Sequence, residues 1–160
     1  MSLDALRRIV RALGTSARTA ERTAGITGAQ LHVLAQLSDA SASSLNELAA
    51  RTFTHQSTVS VVVDRLVRRG LVTRTRSAED ARRVVLALTP AGRGVLRRAP
   101  PPAQTQLIQA LERLRAPQSR ALALALGRVV RRMGLSDGPA TMFFDEDNGR
   151  GAVTKRDTRR

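Results

Sequence analysis

The sequence predicts a mainly α-helical chain that carries one small β-hairpin. Apolar residues repeat at helical spacing over most of its 160 residues, and two short runs rich in β-branched residues follow Gly70. The chain holds 27 Lys and Arg against 13 Asp and Glu, a formal net charge of +14. Its length suits about one domain with its own core, or one domain with a tail. So large an excess of positive charge attracts polyanions, chiefly nucleic acids and anionic membrane surfaces.

The composition excludes several classes of protein. Without Cys the chain cannot form disulfides, thiolate metal sites or cysteine redox switches, and two His leave little for a metal centre. No apolar run reaches the length of a membrane helix and charges are spread through residues 1–25, so we expect a cytoplasmic chain that is not a membrane protein. Three Phe and no Trp or Tyr are too few for base-stacking platforms, which favours duplex DNA over single strands.

The first predicted helix lies within residues 1–25. Its apolar or small residues form one narrow stripe, spaced alternately by three and four: Leu3, Leu6, Val10, Leu13, Ala17 and Ala20. Such a stripe needs a partner, and two helices predicted within residues 99–134 offer one through Leu107, Leu111 and Leu114, then Leu122, Leu126, Val129 and Met133. These helices cannot form a large core alone, so we expect them to pack against each other and against a second copy, as a homodimer. Packing within one chain is the alternative.

Residues 26–98 begin with two predicted capping boxes. Thr27 with Gln30 opens a short helix through residue 37, and Ser44 with Glu47 opens another to about residue 51. Thr54 is predicted to cap a third helix, which stops at Gly70 and has an apolar face of Val59, Val62, Val63, Leu66 and Val67. Two short helices joined by a tight link are typical of a helix-turn-helix.

The pattern changes after Gly70. Residues 71–76 and 83–88 are β-branched and apolar runs, separated by the polar residues 77–82, and they predict a hairpin. Thr89 then caps a new helix with Pro90 in its first turn, where a missing amide donor costs nothing. Helix, turn, helix, hairpin and helix in this order predict a winged helix-turn-helix domain over residues 26–98.

The helix that starts near residue 55 has the residues of a DNA recognition helix. Its polar side chains can bond base edges and phosphates, while its valines rest against the domain. Gln56 is the best single base reader, because its amide can pair bidentately with adenine. Val61 could touch a thymine methyl group or simply be exposed. The predicted contacts from this segment are His55, Gln56, Ser57, Thr58, Ser60 and Val61.

The hairpin tip offers a second contact. Asp80 lies at a spacing that lets it orient the guanidinium of Arg82, and an arginine held at the tip suits a narrow minor groove. Further arginines on the hairpin and the helix can neutralise phosphates, and these are Arg65, Arg68, Arg69, Arg74, Arg76 and Arg83. For any one of them the alternative is a solvated surface position.

The most specific motif spans the hairpin and the helix after it: Asp, any residue, Arg, then Leu, any residue, Leu, Thr and a nearby Gly, here Asp80, Arg82, Leu86, Leu88, Thr89 and Gly92. With SLNELAARTFTHQSTVSVVVDRLVRRGLV before it, the stretch 44–96 resembles the MarR family of winged-helix transcription regulators. The resemblance implies a homodimer held by its N- and C-terminal helices on a pseudo-palindromic DNA operator. It also implies that Arg82 is the wing-tip arginine and that the start of the 56–69 helix enters the major groove.

The chain departs from that family at two places. Val61 stands where the family often has a polar or basic side chain, so the base code cannot be copied across. The three prolines at 100–102 interrupt what is usually one long helix, and we expect them to kink or break it.

The resemblance also implies an effector site. Many members of the family release DNA when a small anionic aromatic molecule enters a cleft between the dimer helices and the winged domain. The residues that could line such a cleft here are Arg18, Arg22, His32 and Gln36, and for each of them the alternative is a surface or satisfied interdomain side chain. The two His lie on different elements without a carboxylate cluster, so we expect no zinc switch.

These features predict a homodimeric, sequence-specific transcription regulator, a repressor released by a small-molecule effector. The alternative is a nucleoid-associated protein that coats DNA without specificity. The sequence predicts neither a cofactor nor an enzyme, because no nucleophile elbow, phosphate loop or paired acid and base is visible. Residues 135–160 have few apolar residues, so we expect a mostly disordered tail, with docking on DNA or on the chain's own body as the alternative.

Overall fold

The computed structural model describes residues 3–38, 44–76, 84–135 and 142–143. Within them the chain forms seven helices and one antiparallel pair of strands: α1 (Leu3–Ala24), α2 (Gly28–Ser38), α3 (Leu45–Thr52), α4 (Gln56–Arg68), β1 (Val72–Arg76), β2 (Val84–Leu88), α5 (Pro90–Arg98), α6 (Ala103–Glu112) and α7 (Ala116–Arg132). The prediction of a mainly helical fold with one hairpin is confirmed.

Helix α2 lies at the centre of the core. Apolar side chains point to all sides of this helix, which is typical of a helix that is surrounded by others. Leu31 and Leu34 are essentially unexposed, and they share one buried cluster with Leu48 of α3, Leu66 of α4 and Leu86 of β2. The helix-turn-helix, the hairpin and α5 therefore pack around α2 as one unit.

Three of the four predicted caps are confirmed. Thr27 Oγ1 accepts from the Gln30 backbone N–H at 3.2 Å while the Gln30 side chain accepts from the Thr27 N–H at 3.2 Å. Ser44 and Glu47 make the same reciprocal pair at 3.2 and 3.0 Å. Thr89 Oγ1 accepts from the backbone N–H of residue 92 at 3.0 Å, with Pro90 in the first turn as predicted.

The predicted cap at Thr54 is wrong. The N-cap of α4 is His55, which makes no side-chain cap bond. The Thr54 hydroxyl instead lies 2.9 Å from both the carbonyl oxygen and the hydroxyl oxygen of Thr52, to which its single proton can donate. Thr54 thus lies one residue before the N-cap, and its hydroxyl bonds back to Thr52 rather than to the first turn of α4.

The end of α4 leads directly into the hairpin. Gly70 has a φ of +66°, and backbone bonds from Gly70 N–H to Val67 C=O and from Leu71 N–H to Leu66 C=O close the helix in a Schellman motif. Because the Leu71 N–H is bonded to the end of α4, β1 starts at Val72, one residue later than predicted. The strands then pair in antiparallel register from Val72 opposite Leu88 to Arg76 opposite Val84.

The prolines break the helix as predicted. Helix α5 ends at Arg98 and α6 begins at Ala103, so residues 99–102 separate them. The first turn of α6 is tied to α1 by a 3.1 Å bond from the Ala103 N–H to Ser16 Oγ.

The terminal helices are only partly covered. On α1, Leu13, Ala17 and Ala20 are buried, whereas Leu3, Leu6 and Val10 of the same predicted stripe are exposed. No residue of α7 is buried within the described chain. None of the described helices is both long and apolar enough to cross a membrane.

Candidate nucleic-acid interface

Helix α4 has one buried face and one exposed polar face. Val59, Val62, Val63 and Leu66 are unexposed, which fixes the helix on the core. His55, Gln56 and Ser57 at its start are exposed, and Thr58 and Ser60 are half-buried. Val61 is 45% exposed, so it lies on the outer side as the sequence predicts. The first two turns of α4 can therefore reach a partner without disturbing the core.

The turn before α4 contains a residue with a left-handed backbone conformation. Phe53 has φ 50° and ψ 41°, in the left-handed region that side chains other than Gly rarely adopt. Its backbone N–H bonds the carbonyl of Ala50 at 3.2 Å, and the buried Thr52 hydroxyl bonds that of Leu48 at 2.8 Å. These bonds and that of Thr54 set the angle between α3 and α4, while the Phe53 side chain is left 68% exposed.

Arginines of the predicted phosphate set also bind other parts of the chain. Arg74 on β1 forms a 2.9 Å ion pair with Asp64 on α4, which joins the hairpin to the recognition helix. Arg69 donates to the Gln30 side chain at 3.0 Å and to the Gly25 carbonyl at 2.6 Å, which ties the end of α4 to the α1–α2 junction. The geometry thus gives Arg69 a structural position.

The remaining predicted contacts divide into two groups. Arg76 is exposed at the end of β1, Arg65 is half-buried on α4, and Arg68 is exposed on α4 with its Nε 3.4 Å from the Asp64 carbonyl. The wing-tip set of Asp80, Arg82 and Arg83 lies outside the described residues, so its roles stay predictions.

The four residues predicted for an effector cleft do not share one surface. Arg18 and Arg22 are exposed on α1, with Arg18 within 3.5 Å of the Thr15 hydroxyl. Gln36 is half-buried, and its backbone carbonyl accepts from Arg51 at 3.3 Å. His32 is unexposed within the core. Their role as effector contacts stays a prediction.

His32 joins the winged domain to the C-terminal helices. Its Nδ1 lies 2.9 Å from the hydroxyl of Thr105 on α6, and its Nε2 has no hydrogen-bond partner among the described residues. Burial lowers the pKa of His32 from 6.5 to about 4, because the imidazolium form would lose its hydration. The ring is therefore neutral near pH 7.

A cavity of about 420 Å³ lies between the helix-turn-helix and the C-terminal helices. We call it the groove. Its lining comes from the α3–α4 turn, α6, α7 and the tail: Thr52, Phe53, Gln104, Leu107, Ile108, Leu111, Glu112, Ser119, Leu122, Ala123, Leu126 and Phe143. None of the four predicted cleft residues is among them. Sequence reasoning placed Leu107, Leu111, Leu122 and Leu126 on apolar faces but had no means to bring them together with Phe53.

The chain is similar to several known regulators. Residues 24–83 match the MarR family. The HTH-type transcriptional repressor MdtR of Bacillus subtilis is 38% identical over 68 residues, which span 42% of this chain and 44% of MdtR, so the match covers less than half of that protein.

Solved structures extend the likeness to most of the chain. A probable transcriptional regulator from Pseudomonas aeruginosa is 31% identical with a TM-score of 0.53, over 78% of this chain and 92% of that one. BpsR of Bordetella bronchiseptica, whose DNA binding is regulated by 6-hydroxynicotinic acid, is 29% identical with a TM-score of 0.51, over 85% of this chain and 95% of its own.

These proteins are regulators, which agrees with the expectation that the chain is not an enzyme. The matched segment contains the whole helix-turn-helix, and the fold adds the hairpin and the flanking helices in the predicted order. The chain belongs to the MarR family of winged helix-turn-helix transcription regulators.

Proposed function

We propose that the chain is a homodimeric, sequence-specific regulator of transcription that binds duplex DNA. The observation that carries the proposal is the division of α4 into an unexposed apolar face and an exposed polar start at His55, Gln56 and Ser57. A helix of this kind fits the major groove, where amide and hydroxyl groups can read base edges. This function would place the chain in the cytoplasm, with the DNA.

Positive charge would supply most of the affinity. Residues 44–98 carry eleven basic and four acidic side chains. Contacts from Arg65, Arg76 and the wing arginines Arg82 and Arg83 would position the protein on phosphates without selecting a sequence. The alternative function, a nucleoid-associated protein, would use the same charge but would not need the polar start of α4.

Exposed apolar side chains support the homodimer. Leu3, Leu6, Ile9 and Val10 on α1 are 40–59% exposed, and Leu124, Leu126, Val129, Val130 and Met133 at α7 are 38–66% exposed. Such stripes are costly to leave in water, and a second copy with the same stripes can cover them in a two-fold arrangement. A dimer would present two α4 helices to a pseudo-palindromic operator.

We also propose that the regulator is a repressor released by a small molecule, as BpsR is regulated by one. The groove is the candidate site because it adjoins both Phe53, just before α4, and the C-terminal helices. Glu112 is the one charged side chain among the described residues of its lining, so an anion would be repelled there. The lining favours a neutral or cationic aromatic molecule over the anion that the family resemblance implies.

The experiment that tests the proposal is a selection of binding sites from random duplexes by the full chain. The regulator should enrich an inverted repeat, and the enriched duplex should bind about 10³-fold or more tightly than a random duplex at the same salt concentration. A nucleoid-associated protein would bind both duplexes equally with the same steep salt dependence, and that result would contradict the proposal.

A further inference from the structure

The C-terminal segment returns to the core of the chain. Met142 follows α7 in sequence, yet its side chain is only 2% exposed and belongs to the same buried cluster as Leu48 and Val62. Burying a flexible Met side chain restricts its rotamers, so the contact is favourable only where it finds a matching apolar surface. The segment therefore packs on the domain at this residue.

The next residue forms part of the groove. Phe143 is 50% exposed and lines the groove together with Phe53 of the α3–α4 turn. The chain has three Phe in all, and two of them line the groove. Aromatic side chains contribute more buried apolar area than other residues, so this pair is well suited to hold one segment of a chain against another.

The groove lies between the helix-turn-helix and the C-terminal helices, two parts of the molecule that the bond between His32 and Thr105 joins at another point. Thr52 and Phe53 belong to the helix-turn-helix, whereas Leu122 and Leu126 belong to α7. Helix α7 buries none of its residues within the described chain. A segment that contacts the turn and the C-terminal helices at once would restrain both.

We propose that the chain's own segment of Met142 and Phe143 docks on the body of the chain as an apolar strap that completes the groove. Met142 is the anchor and Phe143 closes one wall of the groove, so the tail holds the α3–α4 turn against α6 and α7. This tail contact deepens the proposed function, on which it rests for the role of α4 in binding DNA. An effector in the groove would meet Phe143 as part of its wall.

Hydrogen exchange on the full chain without DNA tests the tail contact. We compare the wild type with the double variant Met142→Ala and Phe143→Ala, and with the control Val153→Ala, which truncates another apolar side chain of the tail. Amides of residues 52–56 and 104–112 should exchange about tenfold faster or more in the double variant and by a larger factor than those of α2, while the control exchanges at the wild-type rates. Unchanged exchange at residues 52–56 in the double variant would overturn the proposal.

A peptide added in trans separates the tail contact from a general loss of stability. A synthetic peptide of residues 136–150 should slow the exchange of residues 52–56 in the double variant back toward the wild-type rate. The same peptide with both Ala substitutions should have no effect. Faster exchange throughout the chain that the wild-type peptide does not reverse would overturn the proposal, because Met142 would then be an ordinary core residue. A protection of the groove that depends on protein concentration rather than on the tail would overturn it too, in favour of a second copy as the occupant.

These results are independent of the proposed function. All arms are measured without DNA, so unchanged exchange would leave the role of α4 intact. Conversely, a wild-type chain without any operator preference would refute the proposed regulator and leave the tail contact standing.

Discussion

Single side chains on α4 separate the residues that hold the helix from those that can read DNA. Val59 and Val62 are unexposed, and Gln56 and Ser57 lie on the outer surface beside them in sequence. The sequence predicted this division because helical spacing fixes which residues share a face. It could not predict which base each side chain contacts, since that depends on how deeply the helix enters the major groove of the DNA.

Gln56→Ala should relax base preference at one position of each half-site. The loss of a bidentate contact to a base should cost about 1–3 kcal/mol of discrimination there and leave binding to random DNA unchanged. Titration of the protein with operator duplexes that carry each of the four bases at that position would measure the discrimination. Gln109→Ala, an exposed Gln on α6, is the matched control. Equal discrimination in wild type and Gln56→Ala would remove Gln56 from the reading residues.

His32 should make stability depend on pH. Its pKa is about 4 in the folded chain and 6.5 in the unfolded chain, so between these values the unfolded chain binds the additional proton. Stability from this residue is complete above pH 6.5 and falls as the pH drops toward 4, by about 3 kcal/mol in all. Denaturant unfolding from pH 7.5 to 4 would give the free energy of unfolding of wild type and of His32→Asn, and only the wild type should lose this contribution as the pH falls. Parallel curves would mean that His32 is not buried as described.

At the level of elements, local signals predicted the fold well. The caps at Thr27, Ser44 and Thr89 depend on bonds within three residues, so their spacing alone is informative. The break at the prolines follows equally from local chemistry. Thr54 shows the limit, because spacing alone did not show that α4 begins one residue later, with His55 as its N-cap. The groove was not predicted, since its lining comes from segments far apart in sequence.

The close packing of α5 against the segment between α4 and the hairpin depends on Gly92. A Cβ at this position would overlap the backbone carbonyl of Leu71, which also accepts from the Thr89 N–H. Gly92→Ala should therefore cost about 1–3 kcal/mol, the usual penalty for an overpacked site. Gly94→Ala is a control on the same helix, where a Cβ would meet only the ends of two Arg side chains. The control should be neutral or stabilise by up to about 1 kcal/mol, because Ala favours the helix. Chemical denaturation of both variants measures the difference, and equal stabilities would contradict the close packing.

On the scale of the whole molecule, the uncovered stripes of α1 and α7 predict an assembly of two chains. Val10→Asp and Val129→Asp should each weaken the dimer, because a charge would be buried in place of an apolar side chain. Ala12→Asp is the control, since it is exposed and lies on the side of α1 away from Val10. Light scattering over a dilution series would give the mass of each variant and so the concentration at which its dimer dissociates. Dimers of undiminished affinity in both Val variants would place the interface elsewhere.

The tail should not be needed for that assembly. A chain that ends at residue 136 keeps every residue of α1 and α7 and should remain a dimer on sizing. Its net charge is unchanged, because residues 137–160 carry five basic and five acidic side chains. A monomer after this truncation would show that the tail contributes to the dimer interface.

The central claim is that two copies of α4 enter successive major grooves on one face of a double helix. Inserting about five base pairs between the half-sites turns one of them to the opposite face, because a helical turn takes about 10 base pairs. The measurement is the affinity of the wild-type chain for the selected operator and for this spaced operator at the same salt concentration. We expect the spaced duplex to bind about 10²-fold or more weakly, as the second half-site is lost. Equal affinity for the two duplexes would contradict the account.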